Sequence, residues 1–212
     1  MVQIALIDAG SGNLRSVQRA LLAAADPARP EPQVRITSDP DFVRQADAIV
    51  LPGQGAFGAC MAGLRACPGL EAALTEAAMQ HAIPFLGICV GMQVLAARGE
   101  ENGLHEGLGW IGGLCRPLSP IGGPIPHMGW NTIEPLASHP VLDGLGASAH
   151  VYFAHSFIVD GAPAPAIAAR TTHNEQFASA LAQDNLIGLQ FHPEKSQAAG
   201  LALLARFLDW KP

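Results

Sequence analysis

Lysine is almost missing from this chain. Lys195 and Lys211 are the only two in 212 residues, and Lys and Arg together number 12 against 18 Asp and Glu. Nucleic-acid binding by counterion release needs a cluster of bases. The sequence has none, so no nucleic-acid partner is expected. Aromatic residues make up only 6%, which leaves the core to aliphatic side chains and alanine. Long apolar runs are also absent. The most apolar stretch, 82–92, is shorter than the ~18 residues of a membrane span and is interrupted by Pro84, Gly87 and Gly91. The N-terminus lacks a basic region and soon reaches Asp8, so no secretion signal or membrane association is expected. Cysteine occurs four times, at 60, 67, 89 and 115, without a C-x-x-C pair. That spacing argues against zinc or thioredoxin-type sites, and no metal or cofactor is expected. The thiols are expected to be free, in a reducing cytoplasm. Cys60, Cys67 and Cys115 read as packing groups.

The composition, 49% hydrophobic and 14% charged, is the reverse of a disordered chain. The length fits a single domain spanning 1–212. In the first half, apolar segments at 2–7, 34–37, 48–51 and 83–88 read as strands. Between and after them, 14–25, 41–45, 57–65, 70–80 and 90–98 read as helices. This alternation predicts an α/β fold with a mostly parallel sheet flanked by helices. After about residue 108 glycine and proline become frequent and the apolar runs are short. They include 150–159 and 167–171, and the segments 178–181 and 186–191 flank a hairpin turn at Gln183-Asp184-Asn185. The segment 201–210 reads as a closing helix, and 27–32, with three prolines, as an exposed loop.

Two motifs carry chemistry. Gly87-Ile-Cys89-Val-Gly91 follows an apolar strand and precedes a helix, which is the G-x-nucleophile-x-G elbow with cysteine in the serine position. Small residues two places to either side let the backbone turn sharply. The helix N-terminus beneath the sulfur favours a thiolate and offers N–H groups to a developing oxyanion. The second motif, Gly188-Leu-Gln-Phe-His192-Pro-Glu194, ends a strand. In an extended segment His192 and Glu194 share a side, so the histidine serves as base and the glutamate orients it. Gly10-Ser11-Gly12 is not a dinucleotide loop, because Arg15 stands where the third glycine belongs. It reads as a partner-facing turn.

Together, GICVGMQ and GLQFHPEKS resemble the class I glutamine amidotransferases. More narrowly, four further segments are similar to the glutaminase subunits of imidazole glycerol phosphate synthases. They are Ile7–Ser16, Leu51–Phe57, Pro126-His-Met-Gly-Trp-Asn131 and Tyr152-Phe-Ala-His-Ser156. The resemblance implies a parallel sheet with a smaller mixed or antiparallel sheet in the second half. It also implies hydrolysis of L-glutamine to glutamate and ammonia through a Cys89 γ-glutamyl thioester, with His192 and Glu194 completing a triad. Val90 N–H and the Gly53–Gln54 loop would hold the oxyanion. Gly55, Gln93, Glu101, His155 and Ser156 would hold glutamine. Asn13, Trp130, Tyr152 and Lys195 would face a (β/α)8-barrel cyclase that takes the ammonia for histidine biosynthesis, in a cytoplasmic heterodimer.

Some positions depart from that pattern. Ala9 stands where an aromatic residue is common, Gln54 where an aliphatic one is expected, and Phe157 where tyrosine is frequent. Two competing readings are a sister amidotransferase serving another synthase and a non-enzymatic binding module. The Pro126–Asn131 segment argues against the first, and the complete Cys89, His192 and Glu194 set argues against the second.

Overall fold

The computed structural model describes residues 1–10, 12–146 and 149–212. Ser11, the centre of the expected partner-facing turn, lies outside the described residues. Strand and helix alternate through the first half. β1 (Gln3–Ile7) leads to α1 (Leu14–Ala24), β2 (Gln33–Thr37) to α2 (Pro40–Gln45), and β3 (Ala48–Gly53) to α3 (Phe57–Ala66) and α4 (Leu70–Thr75). β4 (Phe85–Cys89) runs directly into α5 (Val90–Gln93). Then come the short strands β5 (Arg98–Gly99), β6 (His105–Glu106), β7 (Leu114–Pro117), β8 (His127–Thr132) and β9 (Glu134–Pro135). β10 (His150–His155), β11 (Phe157–Asp160), β12 (Ile167–His173), β13 (Glu175–Gln183) and β14 (Leu186–Leu189) follow, and α6 (Gln197–Asp209) ends the fold.

The main sheet has the order β2-β1-β3-β4-β14-β13-β12-β9. Pairings from β2 to β14 are parallel, and those from β14 to β9 are antiparallel. β4 lies between β3 and β14 and is buried throughout, which is why it reads as a continuous apolar run instead of an alternating one. Helices pack in two groups, α1 with α6 and α2 through α5 together. The smaller sheet, β11-β7-β5-β6, is mixed, and β8 and β10 form a separate antiparallel ribbon. No described helix is long and apolar enough to cross a membrane.

Two helices differ from the expectation. The segment 70–80 changes into a π-helical turn, Glu76–Gln80, closed by His81 N–H donating to Glu76 O at 3.2 Å. The helix expected over 90–98 stops at Gln93. A continuing helix needs the carbonyls of Val94, Leu95 and Ala96, but Leu108, Ile111 and Gly109 take them through their N–H groups. Gly107 makes this approach possible, since a Cβ there would collide with the Ala96 carbonyl oxygen. The hairpin is found as expected, with Gln183 opposite Leu186 and Asp184 in the left-handed region at φ +52°.

Candidate active site

Cys89 is the last residue of β4 and adopts φ +55°, ψ −110°. That conformation costs a non-glycine residue about 1–3 kcal/mol and persists only where the surroundings enforce it. Here glycines enforce it. A Cβ at Gly87 would collide with the Gly91 carbonyl oxygen, and one at Gly91 with the Leu51 carbonyl oxygen. Gly53 pairs in register with Cys89, and a Cβ there would come within 2.8 Å of Gly91 N. The elbow is thus pressed against the end of β3. The Gln54–Gly55 loop leaves the sheet at this point, beside the sulfur.

His192 follows β14 and is held by its backbone. Its N–H donates to Tyr152 O at 2.8 Å. Ser196 Oγ donates to His192 O at 2.6 Å and accepts from Tyr152 N–H at 3.0 Å. The reason His192 and Glu194 meet differs from the expected one. Pro193–Lys195 is a 3-10 turn, not an extended segment, and it folds Glu194 back until Oε1 lies 2.9 Å from His192 Nδ1. The Glu194 side chain is 2% exposed, and its Oε2 has no partner among the described residues. Burial alone would lower the His192 pKa. Hydrogen bonds to Cys89 and Glu194, and the charges on both, outweigh it and raise the pKa to about 9. Because this value lies above the unfolded ~6.5, His192 contributes stability that is complete below pH ~6.5 and fades as pH rises through about 9.

A cleft of about 450 Å³ opens over the sulfur. Its wall includes Cys89, Val90, Gln54, Gly55, Gln93, Glu101, His155, Ser156, His192 and Lys195, so it gathers the nucleophile, the base and the expected substrate residues. Glu101 Oε2 accepts from the Phe57 N–H at 2.8 Å, which fixes a carboxylate at the start of α3. Gln93 Nε2 donates to Phe157 O at 3.0 Å and to Gln190 Oε1 at 3.2 Å. His155 is in the wall, but both ring nitrogens are engaged. Nδ1–H donates to Phe157 O at 2.9 Å, so Nε2 must accept, and it does so from His127 Nδ1 at 3.0 Å. His127 Nε2 in turn accepts from Asn131 Nδ2 at 3.2 Å. Burial pushes both histidines down, His155 to about 3 with the neighbouring His127 adding to the effect, and His127 to about 4 with His173 adding to it. Both rings are therefore neutral, His155 in the cleft wall and His127 behind it.

The other buried thiols are chemically different. Burial and the nearby Cys89 charge push Cys60 up to about 12, and Cys115 is pushed up by burial. All four cysteines are free. A larger groove of about 590 Å³ lies under the 27–32 loop, but no cysteine, serine or histidine lines it.

The expected partner-facing residues are at the surface. Trp130 is 47% exposed, unusual for a tryptophan in a strand. It pairs with Tyr152 across the β8–β10 ribbon, with ring centroids 5.9 Å apart, and Lys195 Nζ lies 5.8 Å from the Tyr152 ring centroid. Asn13 is exposed and caps α1, its Oδ1 accepting from Ser16 N–H at 3.4 Å. Sequence reasoning passed over Gln190, Ser196 and the His127–Asn131 contact. The available signal for Gln190 was one polar residue in an apolar strand end.

The family model described as "Glutamine amidotransferase class-I" matches residues 5–210. The chain is 47% identical over 214 residues to imidazole glycerol phosphate synthase subunit HisH of Caulobacter vibrioides, covering 100% of both chains. It is 48% identical to the protein of the same name from Zymomonas mobilis, covering 99% of this chain and 96% of that one. Among solved structures, a putative GMP synthase protein of Thermoplasma acidophilum aligns with TM-score 0.70 at 18% identity, over 99% of this chain and 93% of that one. A further glutamine amidotransferase aligns with TM-score 0.73 at 17% identity, over 97% of both.

Proposed function

The chain belongs to the class I glutamine amidotransferases, and from that premise we propose that it is the glutaminase subunit of an imidazole glycerol phosphate synthase in histidine biosynthesis. The observation that carries the chemistry is the Cys89–His192–Glu194 line at a strained elbow. The Cys89 sulfur attacks the side-chain amide carbon of L-glutamine while His192 holds the thiol proton. The oxyanion that forms is held by Val90 N–H and by an N–H of the Gly53–Gln54 loop. His192 then gives its proton to the departing ammonia, leaving a γ-glutamyl thioester. Water, deprotonated by the same histidine, releases glutamate and restores the thiol. Glu194 keeps the imidazole oriented and stabilises its charged form. Gly55, Gln93, Glu101 and Ser156 hold the amino-acid end of the substrate, and His155 shapes the wall beside it.

The ammonia passes to a (β/α)8-barrel cyclase docked over the cleft mouth, in a cytoplasmic heterodimer. Met128 and Lys195 both line the cleft, so the patch of exposed Trp130 with half-buried Tyr152 and Lys195 is continuous with its rim. The ribbon that carries Trp130 and Tyr152 also hydrogen-bonds the His192 backbone, so docking acts on the base directly. Glutamate release measured with and without the cyclase and its nucleotide ligand tests the function. Release is expected to rise on assembly, and Lys195→Ala to weaken assembly or the rise by about three- to tenfold, the scale of one interfacial charge contact. No glutamate release by the assembled pair contradicts the function. Unchanged assembly and activation in Lys195→Ala contradicts the docking face.

A further inference from the structure

Gln190 is fully buried one strand away from the nucleophile, and nothing in the reaction described above requires it. Its orientation follows from a chain of forced choices. Phe157 O is a backbone carbonyl and only accepts, so the Gln93 atom 3.0 Å from it is the amide nitrogen. The same nitrogen lies 3.2 Å from Gln190, and the atom it meets there must be Oε1. The Gln190 amide nitrogen is then left facing Cys89 Sγ, at 3.8 Å. A backbone carbonyl two residues beyond His155 thus determines which end of Gln190 reaches the sulfur. The sulfur has two further neighbours. His192 interacts with it from the base side, and Ala154 O lies 3.9 Å away, an acceptor suited to the thiol and unfavourable to a thiolate.

We propose that Gln190 is a positioning residue for the glutaminase reaction, its amide N–H holding Cys89 Sγ as the attacking thiolate while its carbonyl holds Gln93 against the Phe157 carbonyl. This rests on the glutaminase reading of the site. One side chain then links the sulfur to a wall residue that faces the substrate. Gln93 Oε1 receives no hydrogen bond from the described residues, so it remains open to the cleft while its nitrogen is fully committed. The sulfur and the substrate-holding carbonyl are set by one amide pair, and neither shifts without the other.

The test compares wild type, Gln190→Met and Gln190→Glu in the assembled complex. Gln190→Met keeps the volume and loses both hydrogen bonds. Gln190→Glu keeps the acceptor for Gln93 and puts a carboxylate against the sulfur. Glutamine-dependent kcat is expected to fall about 10- to 100-fold in both, the worth of a hydrogen bond to a charged group. KM is expected to stay within about threefold of wild type in Gln190→Glu, whose Gln93 contact survives. The pH profile of Cys89 alkylation by iodoacetamide should move to higher pH in both variants, most in Gln190→Glu. Ammonium-driven turnover reports folding and docking separately, and it is expected to match wild type. Wild-type kcat with an unmoved alkylation profile in either variant overturns the proposal. So does a rise in KM at constant kcat, because Gln190 would then only support Gln93. Failure of the underlying reading is visible elsewhere, as a wild-type complex that releases no glutamate.

Discussion

Cys89→Ala is expected to lower glutamine-dependent turnover at least about 10⁴-fold while ammonium-driven turnover by the assembled complex stays within about twofold of wild type. The size of the first effect follows from the site. No other thiol takes over, because Cys60 is held protonated with its pKa near 12 and Cys115 is raised by burial as well. What remains is the contribution of substrate binding and oxyanion donors alone. The absence of the second effect follows from the division of labour. Ammonia from solution bypasses the cleft over Cys89, and the partner completes the chemistry. Steady-state assays of the complex with glutamine and with ammonium sulfate measure both. Loss of both activities in a well-assembled variant contradicts the division, and retained glutamine turnover contradicts the nucleophile.

Acidification from pH 6.5 to 4.5 is expected to remove on the order of 4 kcal/mol of folding stability through the buried, hydrogen-bonded pair His155 and His127. The sign is set by the direction of the shifts. His155 and His127 have folded pKa values of about 3 and about 4, below the ordinary value of 6.5. The unfolded chain therefore takes up two protons that the folded chain refuses. Stability from the pair is complete above pH ~6.5 and is lost as pH falls toward the folded values. His139, lowered by burial, adds in the same direction. His192 adds little in this window and in the opposite direction, since it is already protonated in the folded state and only the unfolded histidine still takes up a proton just below pH ~6.5. The carboxylates Asp160 and Glu175, lowered by Arg116, lose their contribution only at lower pH. Denaturant unfolding at the two pH values measures the difference. His127→Gln is expected to remove about half of it, because one titrating ring is gone. A flat profile for wild type contradicts the neutral, mutually bonded arrangement of the two rings.

The parallel half of the fold was legible because each strand is a short apolar run and each long helix shows spaced apolar residues. The elbow was legible for a local reason, since Gly87 and Gly91 are forced by contacts within one turn and with the adjacent strand. The shortness of α5 was hidden. The residues 92–96 are buried on every side, so their pattern carries no period, and the competing donors come from a loop more than ten residues away. The triad motif was readable, but the 3-10 turn that joins His192 to Glu194 was not, because proline fits both an extended segment and the start of a helical turn. Gln190 was hidden for another reason. Its role depends on which end of its amide faces the sulfur, and Phe157 O, 33 positions earlier in the chain, decides that through Gln93. The low lysine content kept its meaning. Of the two lysines, Lys195 stands at the cleft rim beside the only tyrosine.

The glutaminase reaction depends on Cys89 being the residue that bonds to substrate carbon. A reactive glutamine analogue incubated with the cyclase-bound chain, followed by peptide mass spectrometry, reads this in one step. The expected result is one covalent adduct per chain, on the peptide containing Cys89, formed faster with the partner than without it and blocked by excess glutamine. Labelling confined to Cys67, the one thiol elsewhere that is not fully buried, or no labelling at all while the partner is bound, would contradict it.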